Sequence, residues 1–224
     1  MRLSVVIPAL NEERRLGQLL LDIQRQSRRP DEVIVVDAGS SDATFRIAEQ
    51  SPVAVILHSE QPVARDRNLG GYSATGDLIF FLDVDTRLPE TFFEDFVSEV
   101  ERRRLDIAFP RYLPHDSTPT ITAIHAFWDM VLRVFERTLP SGAGYCIAIR
   151  SKLFQESRGS DPSLKFDDIE LVRRLSKGRR FGHVGASNFV SDRRYREEGI
   201  LRAFLLQRLW RLPLPLASSS GPTT

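Results

Sequence analysis

Cysteine is almost missing: Cys146 is the single one in 224 residues. That excludes an internal disulfide and points to a reducing compartment. An excess of either charge is missing too, since 31 Lys and Arg face 30 Asp and Glu for a net charge of +1. No overall basic field draws the chain to nucleic acid, so no nucleic-acid partner is expected. No run reaches the roughly 18 apolar residues that a membrane span requires. The longest candidate, Ile121 to Phe135, is interrupted by His125, Asp129 and Arg133. The opening MRLSVVIPALNEE has too short an apolar run, with acids too close behind it, for a secretory signal, so a cytoplasmic protein is expected. Two phosphate-binding glycine motifs are absent. The turn PALNEE (8–13) has no glycine, against a dinucleotide fold, and no G-x-x-x-x-G-K-[ST] occurs, which excludes a P-loop.

What is present suits one large domain, with 42% hydrophobic residues for a core. The first half alternates. Leu3–Pro8, Glu32–Val36, Val53–His58 and Leu78–Leu82 are apolar runs of strand length. Between them, Glu12–Gln26, Asp42–Gln50 and Pro62–Ala74 read as helices. This succession predicts a mostly parallel sheet covered on both faces, with ligands gathering where the strands end. Further on, Pro89–Arg103 reads as a helix with Phe92, Phe93, Phe96 and Val100 on one stripe. Thr118–Leu139 reads as a longer helix with Ile121, Ile124, Trp128, Val131 and Phe135 inward. Ile107–Tyr112, the end of SGAGYCIAIR (141–150) and Phe181–Val184 read as strands, and Asp167–Leu175 as a helix.

Three strand exits carry unusual polar residues. FFLDVDTRLP (80–89) drives an apolar strand into Asp83 and Asp85. Two carboxylates one residue apart repel each other unless a cation lies between them. Oxygen donors on a loop suit Mg²⁺ or Mn²⁺ sharing substrate phosphates, although a solvated turn would also hold two acids. VVDAGSSDAT (35–44) ends a buried strand on Asp37, a carboxylate that needs a partner, while Ser41 and Asp42 suit the cap of the next helix. In PALNEE, Asn11 suits a helix cap and Glu12 and Glu13 suit the positive end of a helix. ARDRNLGGYSATGD (64–77) offers Arg65 and Arg67 to phosphates, and Asn68 with Gly70 suggests a constrained approach between helix and loop. FDDIELVRRL (166–175) opens a helix with Asp167, Asp168 and Glu170, which either complement the helix dipole or include a general base.

VVIPALNEE (5–13), VIVVDAGSSDAT (33–44), RNLGGYSATGDLIFFLDVDT (67–86) and DDIEL (167–171), in this order, resemble the inverting family 2 glycosyltransferases of the GT-A fold. The resemblance covers roughly residues 1–185. It implies an α/β fold of GT-A type, a Rossmann-like sheet flanked by helices with a C-terminal helical extension. It implies a nucleoside-diphosphate sugar donor, a hydroxyl acceptor and a Mg²⁺ or Mn²⁺ cofactor. By the same resemblance Pro8, Asn11 and Glu12 line the nucleotide pocket, Asp37 binds the base, Asp83 the ribose or the metal, and Asp85 is the main metal ligand, with Val84 between them also against the substrate. Asp168 is the catalytic base, Arg67 a substrate contact, and His183 a further candidate metal ligand. SDRRY (191–195) is similar to a segment of some members, which places Arg193 or Arg194 at the diphosphate. Ala38 stands where the family often has an acid or Asn, and Asp167 where it usually has Glu.

The expected layout is a glycosyltransferase domain over 1–190, with a nucleotide-binding half (1–88) and an acceptor half (89–190). A basic amphipathic extension (191–217) and a disordered tail (218–224) follow. RAFLLQRLWRLPLPL (202–216) is a candidate for peripheral membrane contact, for packing on the domain or for a homodimer contact. A sugar nucleotidyltransferase or a non-catalytic sugar-nucleotide binder would share the sheet. The first needs a Gly-rich basic first turn that PALNEE does not supply, and the second needs its acids lost.

Overall fold

The apolar run LSVVIPA forms β1 (Leu3–Ala9), and the alternation read from the sequence follows it: α1 (Leu16–Gln24), β2 (Glu32–Asp37), α2 (Thr44–Glu49), β3 (Ala54–His58), α3 (Val63–Ser73) and β4 (Leu78–Leu82). The computed structural model describes residues 1–52, 54–58, 63–115, 118–136, 140, 146–164 and 167–191. The four strands pair in parallel in the order β3-β2-β1-β4. The chain thus builds outward from β1 to β3, then returns to place β4 on the other side of β1. That reversal makes a crevice at the carboxyl ends of β1 and β4, where ligands of such sheets bind.

The second half is mixed. It comprises β5 (Thr86–Arg87), α4 (Phe92–Arg103), β6 (Ile107–His115), α5 (Pro119–Val134), β7 (Cys146–Arg150), α6 (Ser151–Gln155), α7 (Asp167–Leu175) and β8 (Phe181–Ser191). The complete order is β3-β2-β1-β4-β7-β6-β8-β5. β7 runs antiparallel to both β4 and β6, β8 is parallel to β6, and β5 is antiparallel to β8. The sheet as a whole stays mostly parallel, with β7 and β5 alone running against the other six strands. β6 and β8 run on past the expected ends at Tyr112 and Val184. Their register shifts between Phe109 and Arg111, where Pro110 has no N–H for the ladder. The two-residue β5 and five-residue α6 are too short to leave a periodic signal.

Alternation along the strands divides the core. Leu3, Val5, Ile7 and Phe80 face α1 and α4, while Val6, Ile79 and Phe81 face Phe154 of α6 and Leu171, Val172 and Leu175 of α7. Phe80 meets Phe92, Phe93 and Phe96 edge-on, with ring centroids 5.6, 5.7 and 4.9 Å away. Such pairs add about 1 kcal/mol each to the burial itself. α3 lies unusually close to the sheet. A Cβ on Gly70 would come within 2.4 Å of Val6 Cγ1, and one on Gly71 within 2.4 Å of Phe154 Cε1.

α1 starts at Leu16 rather than Glu12. The residues between form a turn in which the N–H groups of Arg15 and Leu16 both bind Glu12 O, and Asn11 just before it takes a left-handed backbone, φ 54°. His183, expected as a structural residue or a metal ligand, is buried on β8 against the ring of Phe109, 5.7 Å between centroids, and 3.8 Å from Glu136. Met1–Asp192 forms one compact unit. Among the described residues no helix is long and apolar enough to cross a membrane. Arg193, Arg194, the extension and the tail lie outside the described residues, as do Val53, Pro62, Phe166, residues 137–139 and the SGAGY part of 141–150.

Candidate functional site

The loops after β1 and β2 are tied together by side chains. Asn11 donates its N–H to Ser40 Oγ at 2.9 Å, and its Oδ1 accepts from Ser41 N–H at 2.9 Å and from the Ser41 hydroxyl at 3.2 Å. Asn11 therefore does not cap α1. It joins two loops, and its short amide tolerates the left-handed backbone that this needs. Glu12 N–H binds Thr44 Oγ1 at 2.7 Å, and the Glu12 carboxylate pairs with Arg15 at 3.0 Å. Asp42 accepts from both the N–H and the hydroxyl of Thr44, the first residue of α2, and from Glu13 N–H at 3.2 Å. It tethers that helix without being its cap residue, which is Ala43.

Asp37 sits within this frame and is 1% exposed. Its Oδ1 accepts from Ser40 N–H at 3.0 Å and from the Ser40 hydroxyl at 2.6 Å. Its Oδ2 is buried with no hydrogen-bond partner. A buried carboxylate oxygen left unpaired costs about 1–3 kcal/mol, and a ligand donor arriving there would recover it. Pro8 pairs with Val36 beside this point in the β1–β2 ladder.

Two strand spacings across the sheet, about 10 Å, β4 ends at Leu82 and the chain turns through Asp83, buried Val84 and Asp85 into β5. Arg67 of α3 reaches this turn. Its guanidinium lies 3.7 Å from Asp83, and one nitrogen donates to both oxygens of Asp167, at 3.1 and 3.3 Å. Burial alone would lower the pKa of Arg67. The charge of Asp83, then those of Asp167 and Asp168, outweigh burial and raise it. One guanidinium thus holds the first acid of the Asp-Val-Asp turn and the first acid of α7 together, across a separation of 84 residues in sequence between Asp83 and Asp167. Arg67 was expected to meet phosphates; in the structure carboxylates surround it.

Cys146 lies directly beneath this turn, since Leu82 and Cys146 are paired across β4 and β7. Its thiol accepts from Asn188 Nδ2 at 3.0 Å. Burial, and then the charge of Asp83, push the thiol well above its ordinary pKa, and Asp85 adds to this. The negative field of the two acids is therefore felt by a neighbour. Among the described residues no group of three or more His, Cys, Asp and Glu side chains converges on a cation position. Asp83 and Asp85 offer oxygen donors alone, and two carboxylates fit a Mg²⁺ or Mn²⁺ whose remaining positions go to phosphates and water.

The structure thus gathers Asn11, Glu12 and Asp37 at one part of the carboxyl edge of the sheet and Arg67, Asp83, Asp85, Asp167 and Asp168 at another. Sequence reading missed Ser40, which serves both Asn11 and Asp37, and missed that Asp167 and Arg67 are partners. A buried carboxylate followed by G-S was a usable signal for Ser40. Nothing local signals an ion pair spanning 100 residues.

An α/β sheet whose strand order reverses at β1, an acid turn at one strand end and a second acid pair on a helix define the class. Residues 4–158 match the family described as Glycosyl transferase family 2, and the chain belongs to that family. The match stops before α7, so it does not include Asp167 and Asp168. The chain is 21% identical over 197 residues to the cholesterol galactosyltransferase of Borreliella burgdorferi, covering 78% of this chain and 55% of that protein. It is 32% identical over 110 residues to the undecaprenyl-phosphate 4-deoxy-4-formamido-L-arabinose transferase of Pseudomonas fluorescens, covering 44% and 32%. It spans about half the length, or less, of the curated relatives compared. Its fold is that of solved glycosyltransferases. The mannosyltransferase PcManGT from Pyrobaculum calidifontis, in complex with GDP-Man and Mn²⁺, superposes with a TM-score of 0.72 at 22% identity, covering 92% of this chain and 63% of that one. Residues 1–349 of Staphylococcus aureus TarS, in complex with UDP, superpose with a TM-score of 0.69 at 18% identity, covering 92% and 65%.

Proposed function

We propose that the chain moves a sugar from a nucleoside-diphosphate sugar to an acceptor hydroxyl, with inversion, aided by Mg²⁺ or Mn²⁺. The observation that carries this reading is the convergence of Asp83 and Asp167 on Arg67, which brings the Asp-Val-Asp turn and a helix opening on two acids to one place. Solved relatives of the same fold hold GDP-Man with Mn²⁺ and UDP. Two curated relatives are named for transfer to lipids, an undecaprenyl phosphate and cholesterol, and a lipid-linked hydroxyl is the acceptor class this favours.

In this reading Asp37 takes an N–H of the base on its open Oδ2, while Pro8, Asn11 and Glu12 form the wall around it and Val84 packs behind the sugar. Asp85, with Asp83, would hold the cation, which when bound offsets charge on the departing diphosphate. Asp167 is committed to Arg67, so Asp168, the more exposed of the two, is the residue able to take the acceptor proton as its oxygen attacks the anomeric carbon. One displacement inverts that carbon. Arg193 and Arg194, outside the described residues, are proposed to meet the diphosphate through forked hydrogen bonds.

The test is nucleoside-diphosphate release from a panel of UDP-, GDP- and dTDP-sugars with Mn²⁺ or Mg²⁺, by wild type, Asp85→Ala and Asp168→Asn. The expected result is turnover of one donor class by wild type and loss of about 10²-fold or more in each variant. Full activity in either variant would refute its assigned role.

A further inference from the structure

α3 grips the chain leading into α7 at a second point, one residue on from Arg67. Asn68 Nδ2 donates to Ser160 O at 2.8 Å, and Asn68 Oδ1 accepts from Ser160 N–H at 2.7 Å. A side-chain amide that satisfies both backbone groups of one residue, 92 positions away, fixes that residue in distance and in rotation. The neighbouring Gly159 is shaped for it. Gly159 has φ +70°, and a Cβ there would lie 2.3 Å from Asn68 Oδ1, so only glycine lets the chain pass under the amide.

The segment so gripped is tied to α7 by hydrogen bonds. Arg174 of α7 donates to Gly159 O at 2.6 Å and to Glu170 at 2.7 Å, and Arg158 reaches Glu170 at 3.1 Å. Tyr72, a turn further along α3, adds a hydrogen bond to Ser157 O at 3.1 Å. α3 in turn is held rigidly on the sheet by the close approach at Gly70 and Gly71. Two adjacent side chains of one anchored helix therefore hold the base-bearing helix: Arg67 by the Asp167 carboxylate and Asn68 by the backbone at Ser160.

We propose that Asn68 is a positioning residue of the transfer reaction, setting through Ser160 where α7 presents Asp168 to the acceptor. It touches neither donor nor acceptor, so its loss leaves donor binding intact and slows the chemical step. This inference rests on the reading of Asp168 given above.

The experiment uses the full chain with Asn68→Asp, which keeps the shape but removes the N–H donors, and Asn68→Ala. Each is measured for kcat and donor KM by nucleoside-diphosphate release with Mn²⁺, and for amide hydrogen exchange of peptides covering 156–175. The expected result is a donor KM within about twofold of wild type, kcat lower by about 10- to 100-fold, and exchange in 156–175 faster by about tenfold. Exchange in β1 and β4 should not change, which shows that the variants are folded. Exchange unchanged in 156–175, or faster exchange with kcat unchanged, would overturn the positioning role alone. A wild-type chain that turns over no donor would overturn the proposed function, and this role with it, whatever the exchange shows.

Discussion

Replacing Arg67 with Met removes the charge that joins the two acid clusters and keeps the apolar stem. The side chains of Arg67 and Asp167 are each 11% exposed, and they meet through two contacts of 3.1 and 3.3 Å. Removing one partner of so buried a pair strands a carboxylate and costs about 3–5 kcal/mol. The Asp83 contact is longer, 3.7 Å, and Asp83 is 31% exposed, so solvent screening keeps its share below about 1 kcal/mol. A net loss of about 3 kcal/mol is expected, which for a chain of this size lowers Tm by about 6–12 °C. Adding Asp167→Asn removes the stranded charge, so Arg67→Met/Asp167→Asn should melt above Arg67→Met, with a coupling of about 1 kcal/mol or more. Thermal unfolding of the four proteins measures this cycle. A single variant melting within about 2 °C of wild type, or a double variant showing the plain sum of two losses, would refute the claim that Arg67 is the buried link.

Cys146 should resist iodoacetamide in the native protein at pH 8 and react fully after unfolding, because burial and the neighbouring Asp83 hold the thiol protonated; native-state labelling followed by mass spectrometry checks it. Glu170 gives a pH signature. Burial works against it, but the hydrogen bond and charge of Arg174, then those of Arg158, hold it below its ordinary value of 4.5. A lowered folded pKa means stability that is in place above pH 4.5 and lost as pH falls through the lowered value. Glu170→Gln should therefore melt below wild type at pH 7, by an amount worth about 1 kcal/mol or less for a partly exposed group. The difference should close on acidification below pH 4.5, and a gap that stayed constant with pH would contradict the pairing.

The parallel half of the fold was legible because each of its strands is a continuous apolar run and α1 keeps a helical period, with Leu16, Leu19, Leu20 and Ile23 buried. The mixed half was not, because the directions of β7 and β8 are set by pairing with distant strands and leave no local trace. Asp83 and Asp85 stood out since acids at the end of an apolar strand cost energy without a partner. Asn68 and Gly70 were read as a constrained approach between helix and loop; Asn68 does meet the loop at Ser160, whereas Gly70 brings α3 against Val6 and Val36 of the sheet. The roles of Asn11 and Arg67 were read from their neighbours in sequence, as a cap and a phosphate contact. Their partners Ser40 and Asp167 lie 29 and 100 residues away, where only the folded chain brings them. Asp167 looked equivalent to Asp168 until the fold gave it a counter-ion.

The most direct test is calorimetric titration of UDP and GDP into wild type and Asp85→Asn, each with Mn²⁺ and with EDTA. Acids at the carboxyl edge that share a cation with a diphosphate predict that one nucleotide binds wild type about tenfold or more tightly when Mn²⁺ is present, and that Asp85→Asn erases this gain while keeping its fold. Equal affinity with and without Mn²⁺, or the same gain in Asp85→Asn, would contradict it.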